Sequence, residues 1–88
     1  MSREVVLFAS EERQPRSSVA EFLRQLADRV EAGEVLLQKG TESLTLQIPT
    51  NTVLEVKAEE EDKQGRMKRS LEVEIEWMEG EDEGTLSL

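Results

Sequence analysis

Seven consecutive residues alternate strictly between apolar and acidic: Leu71, Val73, Ile75 and Trp77 against Glu72, Glu74 and Glu76. Side chains along a β-strand point to opposite faces in turn, so this segment is a strand with one face covered and the other in water. A helix would spread the same residues around its whole circumference. Whatever fold the chain adopts must therefore contain a sheet with something lying on its apolar side.

The remaining segments supply candidates for that sheet and its cover. Glu4 to Ser10 contains Val5, Val6, Leu7 and Phe8, a run that reads as a strand covered on both faces. Pro15 lies in the polar stretch that follows, which reads as a loop. Ser17 to Ala32 is a helix. Val19, Phe22, Leu23, Leu26, Ala27 and Val30 form one stripe at the 3.6-residue period. Ser18 and Glu21 have the spacing of a capping box, and Gly33 suits a left-handed C-terminal cap. Glu34–Lys39 and Ser43–Ile48 read as strands joined by Gly40-Thr41, a pair suited to a type II′ turn. A two-residue loop there sets Val35 opposite Leu46 and Leu37 opposite Leu44, like against like.

Pro49 has no N–H for a ladder and ends that strand. Leu54, Val56 and Ala58 then alternate with Glu55, Lys57 and Glu59, and the last strand runs from about Arg66 to Trp77. Two registers suit this hairpin. Pairing Asp62 with Gly65 sets Val56 opposite Leu71, and pairing Lys63 with Arg66 sets Val56 opposite Val73. Both keep the apolar residues on one face. Glu79 to Leu88 holds four acids, two Gly and no base, the composition of a disordered tail.

These elements predict an α+β fold, in the order β-α-β-β-β-β. One helix lies on one face of a mainly antiparallel five-stranded sheet, within a single domain over residues 1–78 and a tail over 79–88. The first strand joins beside the fifth, antiparallel, or beside the second, parallel through a right-handed crossover. The former puts the long fifth strand inside the sheet.

Four segments in this order resemble the amphi-Trp domain family, whose name describes an amphipathic strand ending in Trp. They are Val6-Leu7-Phe8 with Ser10 and Glu11, the helix from Val19 to Asp28, Glu31-Ala32-Gly33, and the strand Leu71 to Trp77. The resemblance covers residues 3–78. It implies a fold shared by small bacterial and archaeal proteins, and it brings no catalytic residues to carry over.

Composition narrows the chemistry. With no Cys and no His, the chain has no thiolate metal site, Cys nucleophile, Ser-His-Asp triad or imidazole proton shuttle. Net charge is −9, and twelve of the twenty acids fall after residue 48. Such a field disfavours nucleic acid and anionic membrane as partners. Arg66, Lys68 and Arg69 form the one basic cluster, and pairing with Glu59, Glu60 or Glu61 accounts for it more simply than nucleic acid does. The longest apolar run, Val5 to Ala9, is far short of the ~20 residues of a membrane span. The Met1–Glu4 start lacks the pattern of a secretory leader. The expectation is a cytoplasmic chain with no catalytic, cofactor-binding or metal residue.

Two functions follow. The first is a non-enzymatic module for protein interaction or self-association, as a homodimer or with another protein. Val6, Phe8 and Leu36 are its candidate interface, because one helix covers only one face of strands that are apolar on both. The alternative is handling of a small molecule or cation by the acidic face of Glu55, Glu59, Glu72, Glu74 and Glu76. Trp77 shares parity with Leu71, Val73 and Ile75 and is expected in the core. Because the acids crowd the last two strands, salt should stabilise the fold. Melting temperature is expected to rise from low to moderate ionic strength in a circular dichroism titration, and a flat or falling curve would contradict this.

Overall fold

A computed structural model describes residues 3–80. It contains one helix followed by four strands: α1 (Arg16–Ala32), β1 (Glu34–Lys39), β2 (Glu42–Gln47), β3 (Val53–Lys63) and β4 (Arg66–Glu76). The strands form two separate two-stranded antiparallel sheets, β1–β2 and β3–β4. The five-stranded sheet expected from the sequence is therefore not formed. The chain divides into two compact units between Ile48 and Pro49. Most of the acidic tail, residues 81–88, lies outside the described residues.

Two local facts account for the missing continuity. Residues 4–10 have no regular secondary structure. Preference for a strand measures packing on a pleated surface, and with no ladder to join, Val6 is left 77% exposed. At the junction of β2 and β3, the Ile48 N–H donates to the Gly33 carbonyl at 2.8 Å. Pro49, next along, has no N–H to give. Two successive donors are thus withdrawn where a ladder from β2 toward β3 would begin.

In the first unit, Pro15 stands at the N-cap in extended conformation. The N–H groups of Ser18 and Val19 both donate to its carbonyl, at 3.0 and 3.1 Å. Proline's fixed φ starts the helix earlier than the capping-box spacing suggests, which puts Ser18 inside the first turn. No side chain caps the N-terminus, and Glu21 instead approaches Arg24 at 3.9 Å on the exposed surface. The C-terminus matches expectation. Gly33 has φ +89°, and its N–H donates to the carbonyls of Arg29 and Val30.

The β1–β2 register is the expected one, with Val35 opposite Leu46 and Leu37 opposite Leu44. Gly40 takes positive φ and Thr41 does not, as a type II′ turn requires. Helix α1 packs on β1. Val35, 3% exposed, is the one buried side chain among the described residues. Leu26, Val30, Leu37, Leu44, Leu46 and Ile48 are half-buried around it.

In the second unit, Lys63 pairs with Arg66 and Val56 with Val73, which settles the register that the sequence leaves open. The turn is Gln64-Gly65, with φ of +54° and +85°. Positive φ at both central residues is the type I′ pattern, whose twist matches that of the flanking strands. The Asp62 carboxylate accepts a hydrogen bond from the Gly65 N–H at 3.0 Å. Gln64 bears the strain of the left-handed region, which costs a non-glycine residue roughly 1–2 kcal/mol. Gln64→Asn should therefore stabilise the hairpin by up to about 1 kcal/mol. An unchanged or lower midpoint in thermal unfolding followed by far-ultraviolet circular dichroism would contradict the turn assignment.

Candidate interaction surfaces

Helix α1 has seventeen residues and is about 25 Å long, whereas six-residue β1 spans about 20 Å. The stripe of α1 outruns the strand beneath it. Leu26 and Val30 are half-buried, while toward the N-terminus Val19, Phe22 and Leu23 are exposed, Phe22 at 55%. Beside them lies a groove of about 730 Å³, lined by Phe8, Val19, Phe22, Leu26 and Leu36. Ser10, Glu12, Ser18 and Gln25 add polar groups to its wall. The Arg29 guanidinium, also in the wall, donates to the Leu36 carbonyl at 3.1 Å.

Two of the three expected interface residues, Phe8 and Leu36, therefore line one groove, and Val6 stands outside it. The sequence reading assigned Val19 and Phe22 to the core and missed them as surface. The available signal was the excess length of the stripe over the strand it packs on.

In the second unit, the register sorts β3 and β4 into two unlike faces. One carries the rungs Leu54–Ile75, Val56–Val73 and Ala58–Leu71, followed by Glu60–Arg69. The Arg69 Nε donates to the Glu60 carboxylate at 3.1 Å. The other face carries Glu55–Glu74, Lys57–Glu72, Glu59–Ser70 and Glu61–Lys68. Of the basic cluster, Arg69 pairs with Glu60 and Lys68 stands opposite Glu61, while Arg66 stands opposite Lys63. Trp77 lies one residue beyond β4 rather than at its end. It is half-buried rather than in a core, beside Asn51, Thr52 and Val53 in an open depression.

The acidic face does not converge. Among the described residues, no group of three or more carboxylates is placed to hold a metal ion. Its chemistry is that of a proton. The Glu74 carboxyl titrates above the ordinary glutamate range, first because it hydrogen-bonds to Glu55 opposite, then because of the Glu76 charge beside it.

The sequence profile of the Amphi-Trp domain matches residues 1–88, the whole chain. The chain belongs to the Amphi-Trp domain family. No curated protein and no solved structure gives a significant match. In this Amphi-Trp domain, the amphipathic strand that leads into the tryptophan is β4, in which Leu71 and Val73 are exposed and Ile75 is half-buried.

A raised Glu74 value makes the folded state the better proton binder, so the stability linked to this group is present in acid and lost as pH rises through the folded value. Glu74→Gln should raise the melting temperature at neutral pH. The gain should shrink to nothing below the ordinary glutamate range. A gain independent of pH would show that the Glu55–Glu74 pair is not its source.

Proposed function

We propose that this Amphi-Trp domain is a non-enzymatic protein-interaction module. One observation carries the reading. Apolar residues that the sequence sets out in core patterns stand at the surface in both units, and a single side chain is buried among the described residues. Apolar surface of this extent on a small chain marks an interface. A chain this short has little core to spend, and burial against a partner supplies the missing stabilisation. The absence of Cys and His accords with binding rather than catalysis.

The alternative, handling of a small molecule or cation on the acidic face, draws no comparable support, because its carboxylates lie along an open strand surface. A cytoplasmic setting is part of the same proposal. Among the described residues no helix is long and apolar enough to cross a membrane.

The reading is tested in the source cells with a photo-crosslinking residue at Leu36 or at Leu71. Adducts with a defined protein, whether a second copy or another chain, are expected at one of these positions and not at exposed Lys63. Crosslinking that is equal at all three positions, or absent at all, would overturn it.

A further inference from the structure

We propose that the apolar face of the β3–β4 hairpin is the contact surface for a second copy of this chain, in an antiparallel two-fold stack; this rests on the interaction-module reading above. An isolated two-stranded hairpin is marginally stable at best in water. β3 and β4 have eleven residues each, about 37 Å of strand. Yet Leu54, Val56, Leu71 and Val73 are 65%, 60%, 72% and 59% exposed. A second sheet layer would cover them at the usual spacing of about 10 Å.

The area fits this occupant. The four side chains at those exposures, with exposed Ala58 and half-buried Ile75 beside them, present on the order of 500 Å² per copy. Two copies bury roughly 1,000 Å², the lower bound for a specific interface. The dimer is therefore concentration-dependent rather than permanent.

Charge selects the face and the orientation. The opposite face sets Glu55 against Glu74 and cannot stack on its own copy. The apolar face ends at Glu60–Arg69, a pair already neutralised by its own ion pair. Along the hairpin, the end distant from the turn holds Glu55, Glu72, Glu74 and Glu76, with Lys57 as their nearest base. Toward the turn, Glu59, Glu60, Glu61 and Asp62 are matched by Lys63, Arg66, Lys68 and Arg69. A parallel stack would bring the two acidic ends together. A two-fold axis across the strands at the Val56–Val73 rung sends the two turns to opposite ends of the dimer and offsets the acidic residues of one copy from those of the other along the strands. It also sets Leu54 of one copy over Ala58 of the other, large against small, and closes the assembly isologously.

Light scattering over a concentration series gives the first test. The apparent mass should rise from 10.0 kDa toward twice that value, and Val56→Glu should hold it at the monomer value. Because Val56→Glu can also loosen the hairpin, a second variant keeps the side chain small. The chain has no Cys, so a short bismaleimide links only introduced positions. Val56→Cys, on the axis, should crosslink to itself, and Lys57→Cys, on the opposite face, should not. Equal crosslinking at both positions would overturn the proposal. So would a monomer at all concentrations. If that monomer still forms adducts with another protein in cells, the interaction-module reading stands and the second copy is the wrong partner. A dimer lost in Leu36→Glu but kept in Val56→Glu would move the contact to the groove of the first unit and equally overturn this assignment.

Discussion

The two-residue turn at Gln64-Gly65 decides which charges meet across the second unit. Moving the loop back one residue, to Lys63-Gln64, would shift every pair by two residues, leaving apolar and charged faces where they are but changing each cross-strand partner. Glu55 would face Glu72, and Lys57 would lose its acid to Ser70. In the register adopted, Lys57 faces Glu72, Glu60 faces Arg69 and Glu61 faces Lys68, while Glu55–Glu74 and Lys63–Arg66 set like charges opposite each other. The strain at Gln64 is offset by the match of the type I′ turn to strand twist and by the Asp62 carboxylate, which accepts a hydrogen bond from the Gly65 N–H.

Local structure was legible wherever a period or a backbone constraint stood alone. The helix stripe, the Gly33 cap and the β1–β2 register all follow from spacing, and the amphipathic character of β4 is plain from its glutamates. The arrangement of the strands was not legible. Alternation reports that a face is to be covered and is silent about what covers it, so four strands with apolar faces read as naturally as one sheet as they do as two. Pro49 was correctly read as the end of a strand. That the Ile48 N–H would turn to Gly33 involves residues fifteen apart, and no local pattern announces it.

The surfaces follow the same division. Phe8 and Leu36 were singled out as interface candidates because each has an apolar neighbour of opposite parity, an argument internal to one segment. The exposure of Val19 and Phe22 depends on where β1 stops beneath the helix, and that of Leu54 and Leu71 on what does not lie over the hairpin. Both are tertiary facts. Trp77 illustrates the limit of parity. Its alternation with Ile75 is real, but β4 stops at Glu76, and a residue past the last rung is not held against a core by the ladder.

The hairpin's contacts also set an order of events in folding. Every rung of β3–β4 closes between Val53 and Glu76, around one tight turn. Contacts this local form quickly, on the order of 1–10 μs for a hairpin. The first unit closes over a shorter span still, from Gly33 to Ile48, and a helix forms on a faster timescale than a hairpin. Both units therefore reach their local structure early. Any slower phase lies in covering the apolar face of β3–β4 rather than in forming its strands.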